Sequence, residues 1–116
     1  NVLAMEFVGE DGVPGKRLLE SEVTETDYDS CIDILKRLYK DAKLVHGDFS
    51  EYNIFKTSKG LIVFDMGSAV DLIHPNSMEF LKRDISNINR FFSKRGIDVY
   101  EDDHLLEMIT NWALKK

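Results

Sequence analysis

The chain has 116 residues, 43% hydrophobic and 31% charged, with 7 Gly, 2 Pro and one Cys, a composition that excludes disordered, collagen-like and coiled-coil chains and allows one core. Fifteen basic against twenty-one acidic residues give a net charge of −6, which argues against non-specific nucleic-acid binding. Lone Cys31 excludes an internal disulfide and fits a reducing, cytoplasmic setting, and no apolar run approaches the roughly 18 residues of a membrane span.

The sequence opens on Asn1 and runs directly into Val2-Leu3-Ala4-Met5-Glu6-Phe7-Val8, apolar except for Glu6 and strand-like, closed by Gly9. With no polar lead-in, this reads as a piece of a longer chain. Glu10 to Gly15 is a loop by its Gly and Pro content, and residues 16–25 carry no clear pattern. From Thr26, Tyr28, Cys31, Ile32, Leu35, Leu38, Tyr39 and Ala42 recur at helical spacing, predicting a helix over 26–43 with Thr26 as N-cap and Asp27 and Asp29 in its first turn. Leu44-Val45 is a short apolar step into His46-Gly47-Asp48-Phe49-Ser50-Glu51-Tyr52-Asn53. Ile54-Phe55 and Leu61-Ile62-Val63-Phe64 flank Thr57-Ser58-Lys59-Gly60, which predicts a β-hairpin, and Asp65-Met66-Gly67 closes its second strand. A helix over 76–95 carries Met78, Leu81, Ile85, Ile88 and Phe92 on one face, with Gly96 placed for a left-handed cap. A last helix over 101–115 opens on Glu101-Asp102-Asp103, carries Leu105, Leu106, Ile109, Trp112 and Ala113, and ends on Lys115-Lys116.

The chemistry concentrates around the hairpin. Asp48, Asn53 and Asp65 each stand at a strand edge, where an isolated instance reads as a turn residue. Their order changes that reading: a loop Asp, an Asn five residues on, a hairpin, then Asp-x-Gly twelve residues after the Asn. The same order marks the catalytic segment of kinase-like phosphotransferases. A tight loop holds the first Asp where it can orient or deprotonate a hydroxyl. The Asn carbonyl oxygen and the second Asp, returned by the hairpin, can share a Mg²⁺ ion, which prefers hard oxygen ligands.

The segment Leu44 to Ile54 resembles the RIO family of atypical serine/threonine protein kinases. Ser50-Glu51-Tyr52-Asn53 is particular to that family, and this chain, as RIO kinases do, has Gly47 before the Asp where ordinary kinases carry Arg and Ser50 where they carry a Lys. Phe64-Asp65-Met66-Gly67-Ser68-Ala69-Val70, His74-Pro75, Glu79 to Ile85, Asn87-Ile88 and Arg90-Phe91-Phe92 continue the likeness, which runs over residues 2–99 and resembles most the archaeal Rio one branch. The resemblance implies an α+β, mainly helical fold, the C-terminal lobe of the protein kinase-like fold with a small catalytic β-hairpin. Its parts would be a hinge strand over 1–8, catalytic and metal-binding loops over 44–70, and the three helices, with the N-lobe absent from this chain.

Carried over by resemblance, Asp48 is the catalytic base, Asn53 and Asp65 are Mg²⁺ ligands with Mn²⁺ as a substitute, and Asp65 is also the nucleophile of an aspartyl-phosphate. The backbones of Glu6 and Val8 would read the adenine of ATP. Ser50 and Glu51 would lie near the phosphates or serve the loop locally. The implied function is ATP-dependent phosphoryl transfer to Ser/Thr of a protein, or ATP hydrolysis, in small ribosomal subunit maturation, with weak ATP binding by the chain without its N-lobe. An aminoglycoside or choline kinase relative shares His-Gly-Asp and the Asn, but differs before the Asn and after the last Asp. A non-catalytic interaction module has no need to keep Asp48, Asn53 and Asp65 together. His46 is expected to support the loop, His74 and His104 to be surface residues, and Cys31, Phe91 and Phe92 to be core. Lys82, Arg83, Arg90, Lys94 and Arg95 form a solvated face or one that meets ribosomal RNA. Asp84 receives no role.

Overall fold

A computed structural model describes residues 16–57 and 60–112, the last without its side chain. The expected hinge strand with Glu6 and Val8, the loop over 10–15, Ser58-Lys59, the packing of Trp112 and Ala113, and Lys115-Lys116 lie outside the described residues. The elements run β1 (Lys16–Arg17), a 3₁₀ turn (Leu18–Glu20), α1 (Glu25–Arg37), a π-helical turn (Leu38–Ala42) and β2 (Leu44–Val45). They continue with β3 (Ile54–Thr57), β4 (Gly60–Val63), a second 3₁₀ turn (Met66–Ser68), β5 (Val70–Asp71), α2 (Ser77–Lys94) and α3 (Asp102–Trp112).

Helix α1 begins earlier than its apolar spacing predicts. Thr24, not Thr26, is the N-cap: its hydroxyl accepts the Asp27 N–H at 3.3 Å while Asp27 accepts the Thr24 N–H at 3.0 Å. This reciprocal box satisfies two of the helix's orphan donors, and it depends on the three-residue spacing of Thr and Asp rather than on hydrophobic phase. Asp27 also meets the Lys56 ammonium at 2.7 Å, so the cap fastens α1 to β3. Lys43 (φ 59°) stops the π-helical turn in the left-handed region.

The hairpin forms as the sequence predicts, with Ile54 opposite Val63 and Thr57 opposite Gly60. Three further strands of two residues each complete two sheets: β1 pairs antiparallel with β3 and extends the hairpin to the order β1-β3-β4, while β2 and β5 pair antiparallel in a sheet of their own.

Helix α2 ends as Gly96 implies. Gly96 (φ +85°) donates to the Ser93 carbonyl and Ile97 to that of Phe92, a Schellman closure with Ile97 packed back on the core. Leu81, Ile85, Ile88 and Phe92 are buried as expected, whereas Met78, in the first turn, is exposed. Leu18, Cys31, Leu35, Phe49, Ile54, Leu105 and Ile109 complete a core shared by all three helices and the hairpin. Burial pushes the Cys31 thiol well above its ordinary range, in keeping with a core residue.

Three helices meet at one polar knot. The Tyr28 hydroxyl of α1 donates to Asn89 Oδ1 of α2 at 2.6 Å and accepts the Tyr100 N–H at 3.1 Å. Asn89 Nδ2 donates to the Tyr100 carbonyl and to Asp102 Oδ1 at the start of α3. Every polar atom of the Asn89 side chain is thereby paired, as burial demands.

Candidate functional site

The loop between β2 and β3 is held on three sides. His46 is fully buried; its Nδ1 accepts the Asp48 N–H at 3.0 Å and its Nε2 lies 3.2 Å from the Phe64 carbonyl oxygen. A backbone N–H can only donate, so Nδ1 is the bare nitrogen and Nε2 donates to Phe64. One ring therefore joins the Asp48 loop to the strand that delivers Asp65, the loop-supporting role expected of it.

Gly47 is required on two counts. Its φ is +86°, and a Cβ there would stand 2.7 Å from the Ser68 carbonyl oxygen, an approach that side chains do not tolerate. Its absence of a side chain lets the Asp48 loop lie directly against the turn after Asp65.

The third support comes from α2. Asp84 is fully buried, and its two carboxylate oxygens accept the Gly47 N–H at 2.8 Å and the Phe49 N–H at 3.0 Å. Arg83 donates to the Gly47 carbonyl and lies 4.8 Å from the Phe80 ring centre. Backbone on both sides of Asp48 is thus fixed to one helix while the Asp48 side chain stays exposed. Burial pushes the Asp84 carboxyl above the ordinary carboxylate range; the Phe49 and Gly47 N–H bonds, His46 and Arg83 pull it back. Asp84 is the site residue that sequence reasoning missed. The available signal was a charged side chain on the same helical stripe as Leu81, Ile85 and Ile88.

Asn53 Nδ2 donates to the Asp48 carbonyl at 2.8 Å and to Asp48 Oδ2 at 3.1 Å. With the nitrogen so engaged, Oδ1 is the end of the carboxamide turned from Asp48. Across the hairpin, Phe64 donates its N–H to the Asn53 carbonyl at 2.7 Å, so Asp65 follows immediately after the partner of Asn53. Asp65 is exposed and left-handed (φ 64°, ψ 66°), a conformation that costs a non-Gly residue about 1–3 kcal/mol and clusters at functional sites. The structure therefore brings Asp48 and Asn53 into contact and seats Asp65 on the adjoining loop. Among the described residues, no three His, Cys, Asp or Glu side chains gather to hold a metal. The candidate donors, Asn53 Oδ1 and the Asp65 carboxylate, are hard oxygens, a set that fits Mg²⁺ or Mn²⁺.

Ser50 is buried; its hydroxyl accepts the Tyr52 N–H and its carbonyl the Asn53 N–H, which favours a local role in the turn. The Glu51 carbonyl accepts the Leu19 N–H at 3.2 Å and ties the loop to the first 3₁₀ turn, while its side chain is half-buried. The basic stretch on α2 is not one uniform face, because Arg83 serves Gly47 and Arg95 donates to the carbonyls of Leu19 and Ser21. His74 and His104 are exposed as expected.

Comparison with known proteins points one way. The family model described as the RIO domain matches residues 1–105. The RIO-type serine/threonine-protein kinase Rio1 of Haloferax volcanii is 43% identical over 112 residues, which are 95% of this chain and 38% of that protein. The corresponding protein of Thermoplasma acidophilum is 40% identical over 102 residues, 88% of this chain and 54% of that one. Human serine/threonine-protein kinase RIO1 is 34% identical over 115 residues, 96% of this chain and 20% of its length. The chain thus spans between a fifth and about half of these relatives. Among solved structures, the Rio2 kinase of Chaetomium thermophilum in an ADP/Mg²⁺-phosphoaspartate complex shares the fold, with a TM-score of 0.65 at 24% identity over 84% of this chain and 34% of that one. No described helix is long and apolar enough to cross a membrane.

Proposed function

We propose, from the premise that the chain belongs to the RIO domain family, that it is the catalytic lobe of a RIO-type serine/threonine kinase or ATPase that uses ATP and Mg²⁺. The observation that carries this reading is the contact of Asn53 with both the carbonyl and the carboxylate of Asp48, on a loop that Asp84, His46 and Gly47 hold against the Asp65 turn.

Asp48 accepts the proton of an attacking Ser/Thr hydroxyl, whose oxygen bonds to the γ-phosphorus as the bond to the ADP oxygen breaks. Asn53 orients the Asp48 carboxylate through Nδ2, so the free Asp48 oxygen is the one presented to the hydroxyl. Asn53 Oδ1 and the Asp65 carboxylate would hold Mg²⁺, which when bound neutralises phosphate charge. In the hydrolytic course, an Asp65 oxygen attacks the γ-phosphorus, ADP leaves, and water later releases phosphate from the aspartyl group. The phosphoaspartate of the Chaetomium relative supports that course.

By family resemblance, Glu6 and Val8 read the adenine, an N-lobe completes the nucleotide cleft, and the substrate is a protein of the maturing small ribosomal subunit in the cytoplasm. The test uses the protein in which this lobe is joined to its N-lobe, with γ-labelled ATP. Asp48→Asn should cut transfer to protein by about 10²–10⁴-fold, the span of general-base contributions. Asp65→Asn should abolish any label that hydroxylamine removes. Full activity in either variant overturns the role given to that residue.

A further inference from the structure

A groove of about 640 Å³ runs along the outer stripe of α1 to the π-helical turn and β4, away from the Asp48 loop. Ile34, Leu38, Ala42 and Leu61 form its apolar floor, and Asp29 and Asp33 stand on its rim. Ile34 and Leu61 pack against the core from one side and face the groove from the other. Such a floor is apolar surface that water wets at a cost, and it invites an apolar occupant.

The charges around the floor select the kind of occupant. Glu25, Asp29 and Asp33 are all exposed and follow one another at four-residue intervals, which makes them one acidic ridge on α1. The helix dipole favours Glu25 in the first turn. Asp29 and Asp33 lie beyond that turn, where like charges four residues apart cost helix stability. Arg37 pairs with Asp33 at 3.0 Å and offsets that charge alone. The ridge continues into a second hollow of about 380 Å³, where Asp98 joins Glu25 and Asp29 beside Tyr28 and Tyr100. Among the described residues, no Lys or Arg forms an ion pair with Glu25, Asp29 or Asp98. Asp29 lines both hollows, so the apolar floor and the uncompensated acids belong to one surface.

We propose that this surface docks an extended segment of a protein partner, with Lys or Arg at one end of the segment and paired apolar side chains at the other. The cations meet Glu25, Asp29 and Asp98, and the apolar side chains settle between Ile34, Leu38 and Leu61. The helix sets their separation. From Asp29 to Leu38 the axis advances about 14 Å at ~1.5 Å per residue, a distance that about four residues of extended chain cover at ~3.3 Å each. The net charge of −6 adds a long-range attraction for such a segment.

The inference stands apart from the kinase reading, since no group on this surface takes part in phosphoryl transfer and binding is measured without nucleotide. The probe is a fluorescein-labelled peptide of three Lys, three Ser and then Leu-Ser-Leu, together with its reverse sequence, titrated with the protein in which this lobe is joined to its N-lobe. Saturable binding of at least one of the two is expected, read as fluorescence anisotropy and weakened by added salt. Asp29→Lys on the ridge and Ala42→Glu on the floor should each weaken it by at least about tenfold. Both side chains are exposed, so thermal unfolding should stay unchanged. A peptide with Glu in place of each Lys should not bind. Absence of saturable binding by either peptide, undiminished binding in either variant, or equal binding of the acidic peptide would overturn the proposal. Self-association of the protein that Ala42→Glu removes and the peptide leaves intact would assign the groove to a second copy and overturn it too.

Discussion

Asp84 shows how one side chain can set the geometry of a loop it does not join, here the candidate catalytic loop around Asp48. Its two oxygens take up the N–H groups on either side of Asp48, and burial leaves those donors no water to turn to. Asp84→Ala strands both; at about 1–3 kcal/mol for each unsatisfied buried group, denaturant unfolding should register a loss of at least about 2 kcal/mol. A loss below about 0.5 kcal/mol would show that the loop holds its shape without α2. Gly47→Ala attacks the same loop from the other side, because the added methyl meets the Ser68 carbonyl in a backbone conformation that alanine avoids. It should destabilise the chain by about 1–3 kcal/mol and lower phosphoryl transfer in the two-lobed protein; unchanged unfolding and activity would mean that the loops do not touch. Cys31 makes a simpler claim. A thiol this buried should ignore a thiol reagent in the folded chain and react once denaturant is added.

At the scale of elements, the Tyr28–Asn89–Tyr100 knot sets a pH limit on the packing of α1, α2 and α3. Burial raises the Tyr28 hydroxyl above its ordinary value, partly offset by the Tyr100 N–H. An acid whose folded value is raised keeps its full contribution below the unfolded value and loses it as pH climbs beyond. Stability should therefore fall from pH ~10 upward, where the unfolded tyrosine ionises. Tyr28→Phe should be less stable at pH 7 yet lose less between pH 9 and 11; an equal alkaline slope in both would place the titration elsewhere. The elements also show what sequence spacing can carry. The hairpin, α2 and its Gly96 closure were legible because each obeys a local rule of alternation, helical phase or left-handed cap. Strands β1, β2 and β5 have two residues apiece and exist only through their pairing, so β1 and β5 left no pattern to read. The start of α1 was misplaced by two residues because apolar phase fades there, and the Thr24–Asp27 box decides instead.

Over the whole molecule, the residues of the site were readable in order and the supports beneath them were not. Asp48, Asn53 and Asp65 announce themselves by spacing along the chain. Asp84, 35 residues beyond Phe49, reveals its purpose only when α2 crosses behind the loop. The central claim is that Asn53 and Asp65 serve one divalent ion beside Asp48, and paramagnetic Mn²⁺ titrated into the isotope-labelled chain tests it most directly. Amide signals of Asn53, Asp65 and their neighbours should broaden first, and Asn53→Ala or Asp65→Ala should remove that broadening. Broadening that begins instead on the acidic rim of α1, at Asp29 and Asp33, and ignores both substitutions would contradict the account.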